Sequence, residues 1–299
     1  MESITDRFAI YKGDCVRLIK QLPDNSIHFS IFSPPFANLY IYSDDLADMG
    51  NCRDQEEFFI QFDYLIPEIL RITIPGRLCA VHCKNLVKYK GRDGRSGISD
   101  FRGELIRHFE YFGWQYHSEV QIWTDPVLEM QKTKSQGLLY KQLRKDSSYS
   151  RNGLPEYLVI FRKWDKEIES KEPITKTKEE FPLEKWQKYA SPCWFDIRRT
   201  DVLNGKDVTS GDDEKHICPL QLETIRRAVE LWTNKNDIVF TPFLGIGSEI
   251  YESLLMGRRG IGFELKESYF NKADYFCRMA ESIYKVNVGQ ISLFNSDLR

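Results

Sequence analysis

The chain has 299 residues, 41% hydrophobic and 29% charged, and its 42 Lys and Arg against 44 Asp and Glu leave a formal net charge of −2. That near-neutral balance argues against a protein that simply coats nucleic acid, and a mean hydropathy of −0.46 with no long apolar run argues against a membrane-spanning helix. The amino terminus lacks a basic region leading into an apolar stretch, and seven scattered cysteines form no C-x-x-C pair, so a cytoplasmic protein with reduced thiols and no metal is expected.

The stretch FAIYKGDCVRLIKQLPDNSIHFSIFSPPF reads strand, tight turn, helix, turn, strand. Asp14 stands where a side chain caps the free amides of a helix start. Val16, Leu18, Ile19 and Leu22 form that helix's apolar face, and Pro23-Asp24-Asn25 ends it. A β-helix-β unit of this length implies parallel neighbouring strands. The second strand runs straight into Ser33-Pro34-Pro35-Phe36. Two prolines fix two φ angles and remove two donors, so the strand stops in a rigid corner with a hydroxyl on one side and an aromatic ring on the other. Taken alone the corner is equally a plain strand-terminating turn, although in open α/β sheets ligands bind at this end of the strands.

EEFFIQFDYLIPEILRITIPGRLCAVHC predicts an amphipathic helix, a turn at Pro75-Gly76 and a strand over 78–83. A helix over 101–112 leads through Gly113 to the strand YHSEVQIW; residues 125–153 keep no steady period and predict a long functional loop with short helical pieces. EYLVIFRKW, 156–164, is a further strand. Two stretches are biased to base, the first through Lys84, Lys88, Lys90, Arg92 and Arg95, the second through Lys132, Lys134, Lys141, Arg144, Lys145 and Arg151. Each is interleaved with aromatics. A solvated loop explains either alone; together they suggest a basic cleft for phosphates.

Residues 165–189 are charged and poor in core side chains, and predict a surface insertion that continues to about 213. PLQLETIRRAVELWT is a helix with Leu222, Ile225, Val229 and Trp232 on one face. The remainder reads strand, glycine turn, helix, strand, helix. VFTPFLGIGSE ends a strand and opens a helix through Gly245 and Gly247, and RRGIGFELK ends the next strand in Glu264. Glycines let backbone approach a ligand, and an acidic residue at the following strand end accepts hydrogen bonds from ribose hydroxyls. A dinucleotide site fits this spacing equally.

Taken together, GDCVRLIKQLPDNSIHFSIFSPPF and, much later, TPFLGIGSE…GRRGIGFELKESYFNKA resemble the DNA amino-methyltransferases of the beta group, of prokaryotic or phage type. In that arrangement the (D/N/S)-P-P-(Y/F/W) motif precedes the S-adenosylmethionine motif. The resemblance covers most of 6–164 and 215–280. It implies a Rossmann-like α/β methyltransferase sheet with helices on both faces, a catalytic half over 1–164, a target-recognition insertion over 165–214, a cofactor half over 215–285 and a tail over 286–299. The cofactor implied is S-adenosylmethionine, with Asp14, Phe243, Gly245, Gly247, Ser248 and Glu264 around it and Lys215 and His216 of KHICPLQL in the motif that precedes the cofactor strand. Thr241 stands where the family usually has Asp, Ser33 where most adenine-specific members have Asp, and Ser248 where Thr is common.

The chemistry follows from the acceptor. A sulfonium methyl is already electrophilic, but the exocyclic amine of adenine or cytosine is a poor nucleophile because its lone pair is delocalised into the ring. Ser33 Oγ and the Pro34 carbonyl would accept its N–H bonds and free that pair, and the stiff corner would hold them there without reorganisation. Phe36 would stack on a base flipped out of duplex DNA, offsetting an unstacking cost of about a few kcal/mol. No Pro-Cys dipeptide follows the strand, which argues against C5 methylation through a covalent adduct; Pro192-Cys193 falls in the insertion. Ser-Pro-Pro-Phe resembles the cytosine-N4 enzymes, yet the mechanism suits both amines, so both bases stay open. Beta-group enzymes often dimerise, and helices near 58–72 or 101–112 are candidate surfaces. In the tail, Gln290, Leu293 and Phe294 of QISLF resemble the peptide with which bacterial DNA-handling proteins dock into the sliding clamp; a final strand on the sheet is the alternative. Two competing functions are a non-catalytic DNA-binding relative and a nicotinamide dehydrogenase, the latter leaving the proline corner without a role.

Overall fold

Alternating strand and helix signals give elements in the predicted order. A computed structural model describes residues 1–35, 45, 47–134, 136–164, 172–203 and 219–296, with side chains except at 136 and 289–296. Phe36, Lys215 and His216 lie outside the described residues. The strands are β1 (Glu2–Ile4), β2 (Phe8–Lys12), β3 (Ile27–Phe32), β4 (Thr73–Lys84), β5 (Leu86–Lys88), β6 (Gly97–Ser99), β7 (Trp114–Ile122), β8 (Glu156–Lys163), β9 (Cys193–Trp194), β10 (Ile238–Thr241) and β11 (Arg259–Glu264). The helices are α1 (Cys15–Leu18), α2 (Gln55–Phe62), α3 (Ile66–Ile72), α4 (Lys90–Asp93), α5 (Phe101–Tyr111), α6 (Pro126–Thr133), α7 (Tyr140–Lys145), α8 (Leu183–Tyr189), α9 (Leu222–Trp232), α10 (Ser248–Leu255) and α11 (Glu267–Ser296).

The main sheet runs β1-β2-β11-β10-β3-β4-β8-β7-β9, with β2, β11, β10, β3 and β4 mutually parallel and β8 antiparallel to both its neighbours. This Rossmann-like α/β layering agrees with the sequence. One expectation is corrected: β2 and β3 are parallel but not adjacent, because β11 and β10 slot between them. Local periodicity reports strand direction and is blind to strands that arrive two hundred residues later.

Strand alternation sorts the core. Phe32, Val81, Cys83, Val159 and Phe161 face α2, α3 and α5, where Phe58, Phe62, Ile69, Leu105 and Phe109 meet them. Phe29, Ile31, Leu78, Ala80, Leu158 and Ile160 face the opposite way, onto Ile225, Ala228 and Val229 of α9. Pro67 at the start of α3 splits the single helix expected over this stretch into α2 and α3. The Pro75-Gly76 turn is absorbed into β4, with Gly76 at φ +82 beside a register shift against β3.

Two further expectations change. Residues 172–203 do not stand clear of the sheet: Cys193–Trp194 adds the edge strand beside β7, and Trp194 is buried. Arg227 of α9, itself buried, pairs with Asp196 at 2.8 Å and lies 5.1 Å from the rings of both Tyr189 and Trp194. A charged composition hid one aromatic anchor. The tail is helical: α11 continues through Ser296, so Gln290, Leu293 and Phe294 lie on helical backbone, neither an extended peptide nor a strand. The six described cysteines are free thiols.

Candidate active site

Every parallel strand of the sheet ends on one edge, and the turns there build a single cavity. It takes in about 950 Å³, open mouth included. Ser33 and Pro35 line it from the end of β3; Pro242, Phe243, Leu244, Gly245 and Ile246 line it from the loop after β10. Gly13 and Asp14 after β2, and Glu264 and Lys266 at the end of the neighbouring β11, line it as well, the Gly13 N–H donating to the Glu264 carbonyl at 2.8 Å. The proline corner and the glycine loop therefore share one space.

The glycine loop is shaped by two residues in left-handed backbone, Gly245 at φ +55 and Gly247 at φ +97. A side chain at Gly247 would meet the Ala273 backbone at 3.2 Å, so the close packing of α10 on α11 also requires glycine there. The loop is tied to β11 by Glu264, whose Oε2 accepts from the Gly245 N–H at 2.7 Å and whose Oε1 accepts from the Lys266 N–H at 2.9 Å. Burial outweighs these bonds and pushes the Glu264 carboxyl up to about 7. Glu249, on α10 in the same wall, is pushed by burial up to about 8. Asp14 caps α1 by accepting from the Val16 N–H at 2.9 Å.

Among the other expected cofactor residues, Phe243 packs edge-on against Phe32 with ring centroids 5.8 Å apart. Ser248 lines the cavity with its Oγ buried and without a hydrogen-bond partner. Thr241 is buried behind the wall, its Oγ1 also unpartnered, and does not line the space. The structure adds Asp48 and Met49 to the lining, which no motif announced.

At the corner, the Ser33 hydroxyl lies 3.2 Å from Nδ1 of His82, and Nε2 of His82 lies 3.2 Å from Oε2 of Glu156. The Gln221 side-chain amide donates to the same oxygen at 3.2 Å, and Arg199 reaches Oε1 at 3.4 Å. These partners were missed in the sequence. A polar His82 closing the apolar run LCAV and a Glu156 opening YLVIF were the available signals.

The expected basic residues divide. Lys84 and Arg151 turn inward onto Glu129, which is 1% exposed; Arg151 holds it at 3.1 Å and Lys84 lies 3.8 Å away. Lys90, Arg92, Arg95, Lys132, Lys134, Lys141, Arg144 and Lys145 are exposed, Lys88 half-buried. Those of the first stretch sit on or beside α4; those of the second sit on or beside α6 and α7, in the long loop expected over 125–153. Among the described residues no group of three His, Cys, Asp or Glu side chains is placed to hold a metal, and no helix is long and apolar enough to cross a membrane.

The profile of the N6/N4 DNA methylase family matches residues 27–275. The chain is 24% identical to the type II methyltransferase M.BamHI of Bacillus amyloliquefaciens over 87% of its own length, and spans 55% of that protein. It is 22% identical to the type II methyltransferase M.MjaI of Methanocaldococcus jannaschii, over 89% of each chain. Among solved structures it shares its fold with TTHA0409 of Thermus thermophilus complexed with S-adenosyl-L-methionine, at TM-score 0.65, 20% identity and coverage of 90% and 93%. The cytosine-N4-specific PvuII DNA methyltransferase matches at TM-score 0.63, 16% identity and coverage of 94% and 92%.

Proposed function

The chain belongs to the N6/N4 DNA methylase family, and from that premise we propose that it moves a methyl group from S-adenosylmethionine to the exocyclic amine of a base flipped out of duplex DNA, adenine N6 or cytosine N4. The observation that carries this is the shared cavity, with Ser33 and Pro35 on one wall and Phe243, Gly245 and Glu264 on the other. The residues suit the cofactor. Glu264 offers a carboxylate for ribose hydroxyls, Gly245 leaves open space where a Cβ would sit, and Ser248 Oγ is a buried donor without a partner at the wall. When bound, the cofactor supplies an electrophilic methyl group.

Ser33 Oγ and the Pro34 carbonyl accept the amine's hydrogens, and Phe36, which follows Pro35, stacks on the base. DNA phosphates meet the exposed bases on and beside α4, α6 and α7 rather than the inward-turned Lys84 and Arg151. Residues 165–214 read the target sequence; their described part exposes Trp186 and Phe195. A second copy would dock on α2 and the turn that follows it, where Ile60 and Tyr64 are exposed, or on α5, where Tyr111 is exposed.

Incubation with duplex DNA and labelled cofactor, followed by digestion to nucleosides, is the test. N6-methyladenine or N4-methylcytosine is expected, and whichever appears names the base. Methyl on cytosine C5 would overturn the assignment, and DNA binding without transfer would mark a non-catalytic relative.

A further inference from the structure

We propose that His82 and Glu156 fix which way the Ser33 hydroxyl points and receive the proton that the methylated amine gives up. This rests on the methyl-transfer function above and adds two positioning residues behind its corner.

Strand register places them. Phe32 pairs with Val81 in the parallel β3–β4 ladder, so Ser33 falls beside His82; Lys84 pairs with Glu156 across the antiparallel β4–β8 ladder, which sets Glu156 diagonally from His82 on the same face. Ser33, His82 and Glu156 are thus the top rung of the row that Ile31, Ala80 and Leu158 form below them, on the face covered by α9. His82 and Glu156 are 7% and 6% exposed. Burial alone would raise the Glu156 carboxyl, but the hydrogen bond from His82 and the charges of a protonated His82, Lys84 and Arg199 outweigh it and hold the group down at about 2. An ionised Glu156 accepts only, so His82 Nε2 carries a proton towards it, and in the neutral imidazole the proposal calls for Nδ1 is the acceptor.

The consequence reaches Ser33. A hydroxyl both donates and accepts, and at this corner only acceptance helps an amine. With Nδ1 accepting the Ser33 proton at 3.2 Å, the Oγ lone pairs are turned into the cavity. As the nitrogen–methyl bond forms and the sulfur–methyl bond breaks with its electron pair left on sulfur, the nitrogen must lose a proton. Ser33 Oγ takes it while passing its own proton to His82 Nδ1, and Glu156 stabilises the imidazolium. After product release the proton returns through Ser33 to water. Among the described residues, the charged groups around His82 include Glu156 from β8, Lys84 from β4, Arg199 after β9 and, behind Lys84, Glu129 and Arg151; Gln221 ahead of α9 contributes a neutral donor.

The test has two readouts. In the 15N-labelled, ligand-free protein at pH 8, the His82 imidazole, assigned by loss of its signals in His82→Asn, is expected to be neutral with its proton on Nε2. A proton on Nδ1, or an imidazolium, would overturn the proposal whether or not any variant folds. In single-turnover methylation, Glu156→Gln is expected to lower the rate about 10²-fold with cofactor and DNA affinity unchanged, and to move the acid limb of the pH profile down by about one unit. In a Ser33→Ala background the same change is expected to do nothing further. A wild-type rate and profile in Glu156→Gln would overturn the relay alone; no transfer by the unmodified protein would overturn the proposed function and the relay with it.

Discussion

Strands β3 and β10 lie side by side in parallel register, Val239 against Phe29 and Phe240 against Ser30, yet they end in opposite chemistry. The first ends in Ser33-Pro34-Pro35, which has lost two N–H groups and presents oxygens. The second ends in a loop whose glycines adopt φ +55 and +97 and whose amide at Gly245 is held by the half-buried carboxyl of Glu264. One strand end is stiff and accepts; the other depends on glycine and binds through backbone and Glu264. In the proposed reaction the two ends divide the work, the first activating the nucleophile and the second holding the electrophile.

Substitutions can break that division. Ser33→Ala should cost most, lowering the single-turnover rate by about 10²–10³-fold while the cofactor dissociation constant, measured by calorimetry, stays put. Gly245→Val forces a branched side chain into left-handed backbone at a cost of about 1–2 kcal/mol; it should weaken cofactor binding roughly tenfold and leave the saturated rate nearly intact. If each variant changed both quantities equally, the two ends would be one unit and the comparison would fail. A third effect is a matter of protons. Glu249 and Glu264 have folded pKa values of about 8 and about 7 against an ordinary 4.5. The folded protein therefore binds more protons than the unfolded chain, and the stability this gives is whole below pH 4.5 and lost as pH rises through 7 and 8. Glu249→Gln should melt with the wild type at pH 5 and about 3 °C or more above it at pH 9. The mildest effect lies outside the cavity: replacing Lys141, Arg144 and Lys145 by Ala should flatten the salt dependence of DNA binding by about 0.9 per lost phosphate contact, with rate and cofactor affinity unmoved.

Much of this architecture was readable in the chain. Pro34-Pro35 and Gly245/Gly247 announce themselves because backbone constraints are local, and Asp14 because a cap acts within two residues. Strand neighbours were not readable, since β10 and β11 pair with β3 and β2 across two hundred residues. The link from Ser33 to His82 and Glu156 was hidden for the same reason, since three strands bring the row together and neither partner belongs to a motif of its own. Lys84 and Arg151 counted as basic charge until Glu129 was found holding them. Trp194 anchored a segment whose composition pointed to solvent.

The insertion of β10 and β11 between β2 and β3 also bears on biosynthesis. A nascent chain that has left the ribosome as far as residue 235 has made both flanks of the sheet, but its middle is vacant and the loop that walls half the cavity is unborn. The pairings that finish it have high contact order and are slow to form. The cavity is thus incomplete for most of the chain's own translation, and any truncation short of β10 yields a protein with a proline corner and no glycine loop facing it.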